Sequence, residues 1–218
     1  MKPKLPEIIE HRRLGSPTVT PQALAWDGSQ LWMSSRDIGA LYKIDIEKWK
    51  AVQEFDAPGI VWAAVAANGS TYFTIGKGLN DDRYVYRYST VNGFSKLFAC
   101  PNFTGSYLSF DGEHLYMSQW YKGVILKFDE NGKTLREINA GAEICGQTFV
   151  DGLIYVLRGK ATPDEDWRIA RLDPSEDTPG VEDIATIPFA ARSLTFDGTN
   201  FWSNHRAANE TVCFTLPS

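Results

Sequence analysis

Three cysteines and three histidines are the only thiol and imidazole groups in this chain of 218 residues, and their spacing favours neither metal nor redox chemistry. Cys100, Cys145 and Cys213 form no C-x-x-C pair and are odd in number, which argues against a disulfide framework and a structural zinc site. Each lies in or beside an apolar run and reads as a small buried hydrophobe, so a reduced, cytoplasmic setting is expected. His11, His114 and His205 are scattered and make no transition-metal pattern, so no metal and no cofactor are expected. No stretch approaches the roughly 18 apolar residues of a membrane helix, and no membrane partner is expected. The opening Met1-Lys2-Pro3-Lys4-Leu5-Pro6 carries charge with no apolar segment behind it, unlike a secretory signal. Positive charge is also in deficit: 22 Lys and Arg against 27 Asp and Glu leave a net charge of −5, which argues against nucleic acid as a partner. Few segments are helical by period, and there is no Gly-x-Ser-x-Gly elbow to anchor a hydrolase triad. What remains is a globular composition, 43% hydrophobic and 22% charged, in a chain long enough to bury a full core.

What the chain has is repetition. A turn dipeptide recurs at Asp27-Gly28, Asn68-Gly69, Asp111-Gly112, Asp151-Gly152 and Asp197-Gly198, in steps of 41, 43, 40 and 46 residues by position number. Such dipeptides favour tight hairpins, because both central residues of a type I′ turn need positive φ. An apolar strand precedes each turn, as in Leu24-Ala25-Trp26 or Ser193-Leu194-Thr195-Phe196. An aromatic follows it: Trp32, Phe73, Tyr116, Tyr155 or Trp202. A third strand of alternating character comes next, as in Leu41-Tyr42-Lys43-Ile44-Asp45 and Ile169-Ala170-Arg171-Leu172-Asp173. Fourth strands are expected at Ala51 to Phe55, Ser95 to Phe98, Thr134 to Ile138 and Glu182 to Ile187. Four-stranded propeller blades repeat at this period. The fifth copy ends without its outer strand, while an unassigned strand-like piece, residues 7–14, stands at the N-terminus. The sequence therefore predicts an all-β fold: a five-bladed β-propeller of four-stranded antiparallel blades, one domain over 1–218, closed by its N-terminal strand. Trp26-Asp27 sits at a first hairpin and is no WD40 signature.

The pattern Leu24-Ala25-Trp26-Asp27-Gly28…Leu31-Trp32-Met33…Leu41-Tyr42-Lys43-Ile44-Asp45 resembles a broad propeller group. That group includes the glutaminyl cyclotransferases, the streptogramin B lyases and the SMP-30/NHL lactonase-like proteins. Five blades resemble the glutaminyl cyclotransferase architecture most. The resemblance implies a Gly-Leu after an acidic or amide residue at the start of inner strands, matched here by Pro21-Gln22-Ala23-Leu24. It also implies an Asn-Glu-Leu-Glu-like run, where this chain has Cys145-Gly146-Gln147-Thr148. The resemblance is made of structural positions and speaks to fold more than to function.

In such a ring the strand 2–3 loops and the blade-to-blade loops share one face, around the channel mouth, opposite the Asp-Gly hairpins. From the ends of second strands that face collects Arg36, Lys77, Gln119, Trp120, Arg158, His205 and Arg206. From the starts of inner strands it collects Gln22, Trp62, Ser106, Tyr107, Gln147 and Arg192. The set is cationic and aromatic in an acidic protein. Arginine forks suit carboxylate or phosphate, and Trp62, Tyr107 and Trp120 suit an apolar or sugar-like wall. Alternatively the cations pair with loop carboxylates such as Asp37, Asp81, Asp82, Asp164, Glu165, Asp166 and Glu210. His205 has the ordinary pKa of a general base at neutral pH, roughly 6.5, and is the candidate catalytic residue; a structural histidine is the alternative. Gly76-Lys77-Gly78 lacks the strand-to-helix setting of a phosphate loop, and Asp164-Glu165-Asp166 reads as a solvated acidic loop rather than a calcium site. The reading these residues favour is a small-molecule-binding propeller, with lyase, cyclase or hydrolase chemistry open to it, acting on an anionic or aromatic organic ligand at the mouth. The alternative is a non-catalytic protein-interaction scaffold using rim residues such as Trp49, Trp120 and Trp167.

Overall fold

A computed structural model describes residues 4–78, 82–159 and 166–217. The chain opens with β1 (Ile9–Gly15). Blade 1 is β2 (Pro21–Trp26), β3 (Leu31–Ser35), β4 (Leu41–Asp45) and β5 (Lys50–Phe55). Blade 2 is β6 (Ile60–Ala67), β7 (Ser70–Gly76), β8 (Tyr84–Ser89) and β9 (Gly93–Ala99). Blade 3 is β10 (Leu108–Phe110), β11 (Leu115–Gln119), β12 (Val124–Phe128) and β13 (Thr134–Asn139). Blade 4 is β14 (Glu143–Val150), β15 (Leu153–Gly159), β16 (Trp167–Leu172) and β17 (Glu182–Ile187). Blade 5 is β18 (Ala191–Phe196), β19 (Phe201–His205) and β20 (Glu210–Thr215), with β1 as its outer strand. All pairings within the blades are antiparallel, and the inner strands β2, β6, β10, β14 and β18 contact one another in cyclic order. This is the five-bladed ring that the repeat count predicts.

The closing strand does two jobs. Its register runs from Ile9 opposite Thr215 to Gly15 opposite Glu210, with an irregularity between Glu10 and Arg12. Just before it, the Ile8 amide donates to the Thr186 carbonyl, and the Thr186 amide donates to that of Pro6. The N-terminal segment thus stitches β17 of blade 4 to β20 of blade 5, and the Ile8 side chain is buried in the seam between them. Each of the other seams has its own apolar cluster. Trp32, Phe55 and Phe73 fill the one between blades 1 and 2, and Leu24, Met33 and Trp202 fill the one between blades 5 and 1.

The five turns are of two kinds. Asn68-Gly69 and Asp151-Gly152 make two-residue hairpins with positive φ at both positions, as type I′ geometry requires. Asp27, Asp111 and Asp197 instead open four-residue loops. There one carboxylate oxygen accepts backbone N–H groups of the loop, and the other accepts from the aromatic five residues on: Trp32 Nε1 at 3.1 Å, Tyr116 Oη at 3.0 Å and Trp202 Nε1 at 2.7 Å. A cation lies against each of these rings: Lys43 4.8 Å from the Trp32 centroid, Lys127 5.5 Å from Tyr116, and Arg12 5.7 Å from Trp202. In blade 5 the cation comes from the closing strand, so β1 completes the triad as well as the sheet. The split follows from chemistry at the fifth position: Phe73 of blade 2 has no polar hydrogen to donate.

Two expectations follow. Deleting residues 1–15 removes the ladder along β20, the buried Ile8 and the Arg12 contact, and exposes an edge. It should cost about 3 kcal/mol or more, a fall in melting temperature of at least roughly 6 °C; unchanged thermal unfolding would contradict the account. The second concerns acid. Burial pushes the Asp27 carboxyl up, but Lys43, the Gln30 amide and Ser29 together bring it below its ordinary value. For Asp111, likewise, the pull of His114, Glu113 and Tyr116 outweighs burial. A depressed carboxylate stabilises the fold above its unfolded pKa of about 3.9, and that stability is lost as pH falls through the lower folded value. Denaturant unfolding across pH should therefore show stability falling below about pH 4, and Asp27→Asn should flatten that acid limb while costing about 1.5–3 kcal/mol near neutrality.

Candidate functional site

Four of the five inner strands in this ring are irregular where they begin. Register shifts fall between Pro21 and Leu24, Val61 and Ala63, Ile144 and Gly146, and Arg192 and Thr195. Bulges re-aim side chains, and these lie at the channel end of their strands, away from the Asp-Gly turns. Backbone strain gathers beside them: Ser193 holds φ at 63° and Thr20 at 44°, costing about 1–3 kcal/mol each. Gly146 has no room for a Cβ, which would stand 2.6 Å from the Ser193 carbonyl carbon. The Ser193 hydroxyl accepts from the Leu24 amide across the blade 5–1 seam, which locks the strained conformation.

These strand ends enclose a cavity of about 320 Å³ at the mouth, to which every blade contributes. Blade 1 supplies Gln22 and Arg36. Blade 2 supplies Trp62 and Arg83, blade 3 Ser106, Tyr107 and Trp120, and blade 4 Glu143, Ile144 and Cys145. Blade 5 supplies Arg192 and Arg206. Arg206 Nη1 donates to Gln22 Oε1 at 2.5 Å, and Gln22 Nε2 donates to the Trp62 carbonyl. Arg192 Nη1 donates to the Ala191 carbonyl, its guanidinium 4.7 Å from the Trp167 ring centroid. Arg83 lies 4.0 Å over Trp62 and donates to the Gly105 carbonyl. Arg36 pairs with Asp37 at 2.8 Å. Among the described residues no carboxylate lies within ion-pair distance of Arg192 or Arg206.

The electrostatics follow from that crowding. Burial lowers the Arg206 pKa; Tyr107 opposes the fall, and the like charges of Arg36 and Arg192 add to it. Burial pushes the Tyr107 phenol up to about 12 and the Cys145 thiol to about 11. Near neutral pH both keep their protons: Tyr107 is a hydrogen-bond donor, and Cys145 is no thiolate nucleophile.

Of the residues anticipated at the mouth, Gln22, Arg36, Trp62, Ser106, Tyr107, Trp120, Arg192 and Arg206 come together there. The others lie elsewhere. Gln147 is buried two residues further along β14 than the lining Cys145, and its Nε2 donates to Ser109 and to the Tyr116 carbonyl. Gln119 Nε2 is tied to the Pro101 carbonyl. Lys77 is exposed beside a separate groove with Tyr84 and Lys96. Arg158 is spent on Asp183, at 2.7 and 2.9 Å, and on the Ala140 carbonyl. The His205 ring packs 5.3 Å from Phe189 with Nδ1 3.5 Å from Glu210, and it does not line the cavity. Asp81, Asp164 and Glu165 lie outside the described residues. Among the rim tryptophans, Trp120 is 44% exposed, but Trp167 is buried at 1% and Trp49 stacks on Trp202. Trp167 is therefore a core residue beneath Arg192, not a docking side chain.

Arg83, Glu143, Ile144 and Cys145 were not anticipated. Arg83 immediately precedes a third strand, β8, rather than ending a second one. In blade 4 the sequence points to Gln147, but the bulge at Ile144–Gly146 moves the lining positions back along the strand to Glu143, Ile144 and Cys145. The apolar Ile144 and Cys145 carry no signal of their own in sequence; Glu143, a charge at the very start of an inner strand, does.

The whole ring has counterparts among solved structures. It matches the crystal structure of Myxococcus xanthus glutaminyl cyclase with a TM-score of 0.69 at 10% identity, over 99% of this chain and 100% of that one. It matches Kuenenia stuttgartiensis hydrazine synthase with a TM-score of 0.56 at 10% identity, over 88% of this chain and 64% of that one. No protein-family model and no curated protein matches the sequence. At such identity the likeness is one of fold: a five-bladed propeller like that of glutaminyl cyclase.

Proposed function

We propose that the mouth binds a small organic anion carrying a flat apolar or aromatic group. The observation that carries this reading is the pair Arg192 and Arg206, two guanidinium groups in a cavity wall with no carboxylate partner among the described residues. Bringing like charges together in a partly buried place destabilises the fold. The backbone that presents Arg192 adds strain at Ser193. Groups held against such costs mark sites kept for binding. Trp62, Tyr107 and Trp120 provide the faces against which a ring packs.

The Myxococcus neighbour is a glutaminyl cyclase. Chemistry on a glutaminyl group with a free amine would bring an ammonium toward Arg36, Arg83, Arg192 and Arg206, which repel it. The charge of this mouth favours an anion instead. Proton-transfer chemistry, where it accompanies binding, falls to Glu143 and the protonated Tyr107, since His205 faces Phe189 and Glu210.

A thermal-shift screen of small organic anions, followed by calorimetry, tests the reading. Arg206→Gln should weaken binding by about tenfold or more, the worth of a charge-assisted hydrogen bond. Its unliganded melting temperature should stay level or rise, because a repelling charge is gone. His205→Ala should leave binding unchanged. Arg158→Ala should lower stability and spare binding, since its partner is Asp183. An Arg206→Gln protein that loses stability but binds anions as before would overturn the proposal.

A further inference from the structure

The charges at the mouth can be counted. Four guanidinium groups line it, Arg36, Arg83, Arg192 and Arg206. Among the described residues two carboxylates stand against them: Glu143 in the wall and the Asp37 that holds Arg36. Arg36 is held by Asp37 and Arg83 has partners of its own; Arg192 and Arg206 have no carboxylate within ion-pair distance among the described residues. In a half-enclosed cavity they are less screened than on an open surface.

Hydrogen-bond inventory points the same way. Each guanidinium has five N–H donors in a fixed fork. The described hydrogen bonds of Arg192 and of Arg206 use Nη1 alone. The Nε–Nη2 edge, which grips two oxygens side by side, is uncommitted on both. Arg36 differs, having given its Nε to Asp37. Arg36, Arg192 and Arg206 also line a second, shallower groove with Thr20 and Asn209, so these guanidinium groups stand on the partition between two spaces and can be reached from either. Opposite them, Trp62, Tyr107 and Trp120 face the first cavity.

We propose that the ligand is an aromatic dianion, a ring bearing either a phosphate monoester or two carboxylates, with its charged end on Arg192 and Arg206 and its ring against Trp62, Tyr107 and Trp120. This rests on the anion-binding reading above and adds a charge and a shape to it. A monoanion leaves one guanidinium uncompensated. Inorganic phosphate matches the charge and forgoes the aromatic wall.

Calorimetry on the full chain decides it, at about pH 7.5, where a phosphate monoester is mostly dianionic. The probes are phenyl phosphate, its methyl ester, phthalate, benzoate and inorganic phosphate. At least one dianion should bind about tenfold or more tighter than its monoanionic counterpart, phenyl phosphate over the methyl ester or phthalate over benzoate; which pair shows the gap identifies phosphate or dicarboxylate. The favoured dianion should also exceed inorganic phosphate. Arg192→Gln, which removes one of the two charges, should bring the dianion-to-monoanion ratio down to about one; Arg206→Gln makes the same test should that variant fail to fold. Equal binding of monoanions and dianions, or a ratio unmoved by the substitutions, overturns the dianion and leaves the anion site standing. Failure of every probe to bind at millimolar concentration overturns both.

Discussion

Closure of the ring is the constraint on which the rest depends. A twisted four-stranded blade has two faces to bury and only its neighbours to bury them against. The five seams accordingly hold one apolar cluster each, and the seam between blades 4 and 5 includes Ile8 from the chain's other end. Closure makes sequence distance irrelevant at the mouth. Gln22 and Arg206 are 184 positions apart and share a hydrogen bond. The contact exists because β1 lies on β20 and fixes blade 5 beside blade 1.

The same architecture separates stability from chemistry along each strand. At the hairpin end, Asp27, Asp111 and Asp197 are held by loop amides, an aromatic donor and a nearby cation, so each charge is answered locally. At the channel end the bulges, Thr20 and Ser193 hold the backbone in less favourable shapes, and Arg192 and Arg206 gather with no ion-pair partner among the described residues. The Asp-Gly ends conform to local preference; the mouth contradicts it in conformation and charge together. Trp49, in the β4–β5 turn at the hairpin end, also holds positive φ; what sets the mouth apart among the described residues is that backbone strain and clustered like charge coincide there, the kind of local inconsistency expected at a functional site.

That division also explains what was legible in the sequence. The blade count and the closing strand could be read because they depend on turn dipeptides, period-two alternation, and one spare strand at the N-terminus facing one missing strand in the fifth copy. Turn type was half legible: positive φ holds for Asn68 and Asp151, while the four-residue loops answer to Trp32, Tyr116 and Trp202 five positions later. At the mouth, Arg36, Arg192 and Arg206 could be placed because strand ends are countable. Arg158 could not, because the ion pair that claims it comes from Asp183 on an outer strand two strands away, and which side chains meet across a blade is invisible in composition. Gln147 missed the cavity through a bulge, a one-residue event that no periodicity announces.

The likeness to Myxococcus glutaminyl cyclase at 10% identity fits this picture. A ring of blades is specified by few positions per repeat: a turn, an aromatic, an alternating strand. Many sequences satisfy them, and the strand ends that form the mouth are not among them. Apart from Ile144 and Cys145, the residues lining the mouth lie outside the seam clusters, so two propellers can share an entire backbone course and present unlike charges at the channel. The charge of a propeller's mouth is therefore better evidence of what it binds than the ring beneath it. In this chain that charge is positive, set on a protein whose net charge is −5. An acidic surface repels anions at long range; the cluster at the mouth reverses that sign only within a few ångströms. The anion capture proposed above would rely on close contact with guanidinium groups and aromatic faces rather than on steering from a distance, with the geometry of Arg192 and Arg206 as the determinant of what is held.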